Sequence, residues 1–235
     1  MHAVFTLKLR HNFALCALIL ATTLSGCDQN SSSPKIPPSP NAQAPVQTYE
    51  GLSKTNPIKV DQQAGVVTML AKANSKYFKE ESRHGIVFEG GSNGNKAVFT
   101  GLANPKEFYE ALVQIGAKAG ENMTFENKET THVTGDKLDI HFKWAGSQKY
   151  YDIDEMIKDS NGNKFDIRFG GNLSVAENVK TGCLLCLDSC PVGIVSNAVY
   201  TYGAVEKRGE VKFIGNSAVQ PPDDALVAVT LKVIK

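Results

Sequence analysis

Neither sign of charge dominates this chain. It carries 25 lysines and arginines against 24 aspartates and glutamates, which gives a formal net charge of +1. Segment 1–26 contains Lys8 and Arg10 and no acidic residue, so a chain that begins at residue 27 loses two positive charges and has a net charge of −1. Such a chain has no basic field for nucleic acid and no polybasic patch for a membrane surface. We therefore expect no nucleic-acid partner.

The short motifs of hydrolases are also missing. The sequence has no Gly-x-Ser-x-Gly elbow and no His-Glu-x-x-His helix. A glycine-rich stretch at residues 90–95 lacks the Lys-Ser/Thr of a phosphate loop and leads into strand-like residues, so it predicts a β-hairpin with Asn93-Gly94 at its turn. No catalytic constellation emerges, and the sequence favours a protein that is not an enzyme.

Only one long apolar run is present, at residues 13–24, and it is too short to span a bilayer as a mature helix. It follows basic residues and ends in Leu-Ser-Gly-Cys at residues 24–27, which resembles the lipobox of bacterial lipoproteins. The resemblance implies a signal peptide at 1–26, cleavage before Cys27 and a diacylglyceryl group on its sulfur. Asp28 then implies retention at the inner membrane. We predict a lipid-anchored protein of the cell envelope, on the periplasmic face of the inner membrane; an ordinary signal peptide that contains a cysteine is the alternative.

Large apolar residues are scarce again in residues 28–48, which contain five prolines and many Ser, Asn, Gln and Ala. Such a composition cannot build a core. The sequence therefore predicts a lipidated cysteine and linker at 27–55, followed by one folded domain at 56–235, a length that is ample for one hydrophobic core.

The domain reads as β-rich. Runs of β-branched and aromatic residues are bounded by turn residues, and residues 137–144 alternate strictly between polar and apolar. One helix is predicted from Asn104 as its N-cap, with Pro105 at the first position and Glu107 completing a capping box. We predict an α+β fold in which this one well-defined amphipathic helix packs on an antiparallel sheet.

Beyond Cys27, the only cysteines outside the leader are Cys183, Cys186 and Cys190. Their spacing, C-x2-C-x3-C-P, matches the last three ligands of the bacterial ferredoxin run. Lys180 occupies the place of the first ligand, so a four-iron cluster needs a further ligand or an open iron. The three cysteines are predicted to bind a cofactor or metal, with an iron–sulfur cluster as the first candidate.

Three alternatives stay open for these cysteines. Two of them can form a disulfide and leave one thiol, which an oxidising compartment favours. Zinc can bind three sulfurs and one imidazole, for which His84, His132 and His141 are the candidates. The third alternative is packing as small reduced hydrophobes. His84 lies beside Arg83 and is the candidate accessory ligand or base, whereas His141 is expected at the surface.

Several segments together resemble the YdjY-like family of bacterial envelope proteins. The matching segments lie at residues 83–88, 90–95, 108–112, 115–118, 166–172 and 182–200. The cysteine run is the most specific of them, and family members are described as ferredoxin-like iron–sulfur proteins because of it. The resemblance implies an electron-carrying or metal-binding lipoprotein. A non-enzymatic module that binds or assembles with an envelope protein, and in which the cysteines form a structural disulfide, is the alternative.

Overall fold

The computed structural model describes residues 47–234. The predicted signal peptide, the predicted lipidation site Cys27 and most of the predicted linker lie outside these residues. None of the helices in the described part is long and apolar enough to cross a membrane.

Fourteen strands, three α-helices and two 3₁₀ turns make up residues 47–234. The strands are β1 (Thr48–Tyr49), β2 (Leu52–Ser53), β3 (Ile58–Asp61), β4 (Val66–Ala73), β5 (His84–Phe88), β6 (Phe99–Gly101), β7 (Leu138–Trp144), β8 (Tyr151–Asp152), β9 (Ile157–Asp159), β10 (Ile167–Phe169), β11 (Cys183–Cys186), β12 (Val195–Asn197), β13 (Phe213–Gly215) and β14 (Leu226–Val233). The helices are α1 (Pro105–Gln114), α2 (Ile153–Met156) and α3 (Leu173–Val179), and the 3₁₀ turns are Ser75–Phe78 and Ser217–Val219.

Ten of the strands form one curled, mixed sheet. Nine of them follow the order β10-β12-β11-β5-β6-β4-β14-β7-β8, and β3 pairs with β4 beside this path. Two pairings, β5 with β6 and β11 with β12, are parallel, and the others are antiparallel. The long strands β4, β14 and β7 lie together, and the short strands around β11 form the other part of the sheet.

The predicted fold, an α+β domain with one well-defined helix on an antiparallel sheet, is wrong. The sheet is mixed, and the helices are three short elements that do not define the architecture. Strand composition indicates that a segment is extended, but it does not identify the partner strand or its direction. The sequence pattern could therefore not predict the parallel pairs.

The glycine-rich stretch at residues 90–95 is not a hairpin, because the strands on either side of it run parallel. It belongs to a connection that carries the chain back to the start of β6. Gly91 packs so closely on Gly182 that a Cβ atom on Gly91 would lie 2.5 Å from the Cα of Gly182. Glycine is therefore needed here because two backbone segments lie close together. In the sequence such glycines resemble those of a tight turn.

The cap of α1 is present as predicted. Asn104 accepts a hydrogen bond from the backbone of Glu107, whose side chain accepts one from the backbone of Asn104. The buried side of this ten-residue helix is formed by Phe108, Ala111 and Leu112. The alternation in β7 is also confirmed, with its apolar side chains buried and His141 on the other face.

Candidate metal centre

Strands β5 and β11 bring an imidazole and two thiols together. They pair antiparallel, and the register places Cys186 opposite His84 and Cys183 opposite Val87. His84 is the first residue of β5, and the two cysteines are the first and last residues of β11. Since the partner strand comes from a distant part of the chain, this meeting depends on the register of the sheet.

An irregularity in β11 lets both thiols reach the same place. In a regular strand, residues three apart point to opposite faces, which would separate Cys183 from Cys186. The register of β11 against β5 shifts on both sides of Leu185. Such a bulge redirects side chains locally, and here it allows both sulfurs to lie beside His84.

The donor atoms of these three residues form a tight group. The Nδ1 or Nε2 of His84 and the Sγ atoms of Cys183 and Cys186 all lie within 4.8 Å of one another. Cys183 Sγ is 3.8 Å from His84 Nδ1. Both cysteines are buried and His84 is half-buried, and His84 lines an open surface pocket of about 340 Å³ together with Arg83 and Glu206. The imidazole is therefore the member of the group that meets solvent.

Cys190 lies next to this group. It follows β11 in a buried loop, and it is among the neighbours that raise the pKa of Cys186. The three cysteines pack with Val87, Ala97 and Val192 in a small apolar cluster of their own. The neighbouring leucines, Leu184, Leu185 and Leu187, belong to the main core instead. All three thiols are free in the structure, and no two of them are joined as a disulfide.

The two thiols opposite His84 differ in acidity. The hydrogen bond from Cys186, supported by His84, lowers the pKa of Cys183 to about 4, although burial acts in the opposite direction. The same hydrogen bond, together with that from Cys190 and complete burial, raises the pKa of Cys186 well above its usual value. The pair therefore holds one thiolate at neutral pH, and that thiolate is the species that binds metals.

A buried ion pair borders the cysteines. Arg83 Nη2 donates to Asp188 Oδ1 at 2.7 Å, and the two side chains are 7% and 0% exposed. Burial disfavours the charge on Arg83, but Asp188, followed by Cys190 and Cys186, outweighs it, and the pKa of Arg83 is raised. Burial raises the pKa of Asp188, a shift that Arg83 opposes. The guanidinium thus places a fixed positive charge beside the sulfurs.

The residues present fit a metal ion. Three thiols and one imidazole are the donors of a Cys3His zinc site. Space beside Cys186 is kept open by Gly193, where a Cβ would lie 3.1 Å from Cys186 Sγ and 2.7 Å from Ser196 Oγ. The fit to a four-iron cluster is weaker, because each ligand of a cluster binds a different iron and the donors must stand farther apart than those around one ion.

Of the other histidines considered as ligands, neither belongs to the donor group of His84, Cys183 and Cys186. Nδ1 of His132 hydrogen-bonds with the carbonyl of Ala198, and Nε2 of His141 with Asp139. Sequence reasoning overlooked Arg83 and Asp188 as neighbours of the site. A signal was available, because an aspartate between Leu187 and Cys190 in an otherwise apolar run requires a buried partner.

Comparison with known proteins identifies the family. Residues 58–232 match the family model of the YdjY domain. Over 220 residues the chain is 59% identical to the uncharacterized protein YdjY of Escherichia coli (strain K12), a similarity that covers 94% of this chain and 93% of that protein. No solved structure matches the chain. The chain belongs to the YdjY domain family.

Proposed function

We propose that this protein binds a single thiolate-coordinated metal ion through Cys183, Cys186, Cys190 and His84, and that it does so as a lipid-anchored protein of the bacterial envelope. The observation that carries the proposal is the group of His84, Cys183 and Cys186, whose donor atoms converge within 4.8 Å. Two strands and a bulge are needed to bring these atoms together.

The distances favour one ion over a cluster. Around a tetrahedral zinc with bonds of about 2.3 Å to sulfur and about 2.0 Å to nitrogen, neighbouring sulfurs stand about 3.8 Å apart and sulfur and nitrogen about 3.6 Å apart. Cys183 Sγ and His84 Nδ1 are 3.8 Å apart. This spacing matches donors that share one ion, so zinc is the metal we propose.

Cys190 is the proposed fourth ligand. It falls outside the three-residue group, but it packs in the same buried cluster as Cys183 and Cys186. We propose that a change of its side-chain rotamer brings its sulfur to the same ion. When bound, zinc supplies a fixed centre that crosslinks β5, β11 and the loop after β11. Because His84 lines the surface pocket, the ion enters and leaves on that side, where we propose that an envelope partner exchanges it.

The lipid anchor is supported by the lipobox-like residues 24–27 and the linker that follows them. Two or more acyl chains bind a bilayer stably, at about 0.8 kcal/mol for each buried methylene. Membrane fractionation tests this part of the proposal. The full chain should sediment with membranes and the Cys27→Ser protein should not; equal distribution of the two would refute the anchor without bearing on the metal site.

Cobalt titration tests the metal site directly. The purified full chain, freed of metal under reducing conditions, should bind one Co²⁺ and show thiolate-to-cobalt charge-transfer absorption that zinc abolishes. Cys183→Ser and Cys186→Ser should weaken binding by more than the roughly tenfold to hundredfold loss that outer-shell changes cause. Visible absorption that appears only with iron and sulfide would favour a cluster instead. Unaltered binding by both variants would remove these cysteines from the site.

A further inference from the structure

Three buried polar atoms in residues 47–234 have no hydrogen-bond partner: Arg83 Nε, Thr181 Oγ1 and Ser196 Oγ. A buried polar atom without a partner costs free energy, so such atoms are rare and each calls for an explanation. All three belong to residues beside the cysteines. They come from three separate segments of the chain, and the fold brings these segments together.

Ser196 lies beside Cys186. Strand β12 runs parallel to β11, and the register pairs Cys186 with Ser196. Both Ser196 Oγ and Cys186 Sγ lie against the same side of Gly193, where a Cβ would contact both. Ser196 is fully buried, so its hydroxyl has no access to solvent.

Thr181 and Arg83 approach the other two sulfurs. Thr181 lies two residues before Cys183, and its hydroxyl is buried without a partner. Arg83 precedes His84; its guanidinium is held by Asp188 and stacks 4.4 Å from the ring centre of Tyr202, which packs against the cysteine cluster. The three unpartnered donors therefore belong to residues that border the cysteines along the chain, across the register or through Tyr202.

We infer that Ser196, Thr181 and Arg83 are positioning residues that donate hydrogen bonds to the metal-bound sulfurs of Cys186, Cys183 and Cys190. The inference rests on the proposed metal site and specifies it further. Three thiolates on a divalent ion leave a negative centre, and buried negative charge requires donors or a counter-charge. Two hydroxyls and a guanidinium supply both, and the site is thereby suited to an anionic, thiolate-rich metal centre.

Outer-shell donors have a measurable signature. A hydrogen bond to a thiolate stabilises the sulfur lone pairs, so it raises the energy of charge transfer from sulfur to metal. Removing the donor should shift the cobalt band to longer wavelength. Such hydrogen-bond partners also hold the ligands in place. In other metal sites their loss lowers metal affinity about tenfold to hundredfold.

The experiment compares two buried serines of the full chain. Ser196 has no partner, whereas Ser189 is equally buried but accepts a hydrogen bond from Val133 N and donates one to Asn197 O. In Ser196→Ala the metal-free protein should melt at the same or a higher temperature, while the cobalt band moves to longer wavelength and zinc affinity falls. In Ser189→Ala the metal-free protein should melt at a lower temperature with the band unmoved.

A second pair repeats the comparison with threonine. Thr181→Val should behave like Ser196→Ala, whereas Thr100→Val removes a hydroxyl that already donates to Gly94 O. If the wild-type protein binds cobalt and both Ser196→Ala and Thr181→Val leave its band and zinc affinity unchanged, the inference is wrong and the metal site stands. If the wild-type protein binds no cobalt, the proposed function fails and the inference with it.

Discussion

Cys186 lies directly opposite His84 in the antiparallel pairing of β5 with β11. This cross-strand pair joins the cysteine run to the one histidine that, among the described residues, belongs to its donor group. Cross-strand neighbours are the closest side chains that a sheet brings together from distant segments. The pair therefore explains how the three cysteines gain the imidazole of His84 as a fourth donor.

Histidine substitutions test this relationship. His84→Ala should lower zinc affinity at least as much as an outer-shell change, which costs about tenfold to hundredfold, because it removes a donor atom. His132→Ala and His141→Ala are the matched controls, and isothermal titration should find their zinc affinity unchanged. Equal losses in all three variants would indicate an effect on folding, and no loss in His84→Ala would exclude the imidazole as a ligand.

The acidity of Cys183 predicts a pH dependence of the metal-free protein. Its pKa is about 4 in the folded state against an ordinary value of 9.0. Between these values the unfolded state binds more protons, so the free energy of unfolding should fall as the pH is lowered from about 9 toward about 4. The contribution is complete above pH 9 and lost below pH 4.

Ultraviolet absorbance of the thiolate, measured from about pH 9 to pH 5, provides the readout. We expect one thiolate to persist in the folded wild-type protein across this range. Cys186→Ala should raise the pKa of Cys183, because the hydrogen bond from Cys186 is the main cause of its low value. A wild-type thiolate that disappears near pH 8 would contradict the described geometry.

The two acidic partners of Arg83 should differ greatly in their effect on stability. Asp188 is fully buried, and Asp188→Asn leaves the buried guanidinium uncompensated, which costs about 3–5 kcal/mol. Glu206 accepts from the same guanidinium at 3.4 Å but is 65% exposed, so Glu206→Gln should cost less than about 1 kcal/mol. Urea unfolding of the metal-free proteins measures both values. Similar losses of unfolding free energy in the two variants would show that the burial of the acidic partner does not determine its contribution to stability.

Gly193 and Gly215 offer a matched test of the space beside Cys186. A Cβ on Gly193 would meet Ser196 Oγ at 2.7 Å, and a Cβ on Gly215 would meet the ring of Phe78 at the same distance. Overpacking costs about 1–3 kcal/mol, so both alanine variants should be less stable. Only Gly193→Ala should also lower zinc affinity. Unchanged affinity in that variant would mean that the room beside Cys186 serves packing alone.

Local features of the fold could be predicted from the sequence. The cap at Asn104 and the alternation in β7 depend on neighbouring residues, and both are present. The parallel pairing of β5 with β6 could not be predicted, because it depends on which distant strands meet. The glycines at residues 90–95 were misread for the same reason: their close contact is with Gly182, from another part of the chain.

The candidate site divides in the same way. The cysteine run is visible as a spacing, and His84 is visible as a candidate beside Arg83. That His84 meets Cys186, and that Ser196 lies on the other side, follows from the sheet order β12-β11-β5. The site also needs the bulge at Leu185, because in a regular strand Cys183 and Cys186 would point to opposite faces. The spacing of the cysteines in the sequence does not predict this bulge.

Native mass spectrometry of the purified full chain, prepared without oxygen or added reductant, tests the central claim most directly. The account predicts the mass of the chain plus one zinc ion, lost in Cys186→Ser and retained in His132→Ala. A chain lighter by two hydrogens would show a disulfide, and added masses of iron and sulfide would show a cluster. Either result would contradict a single ion bound by His84 and the three cysteines.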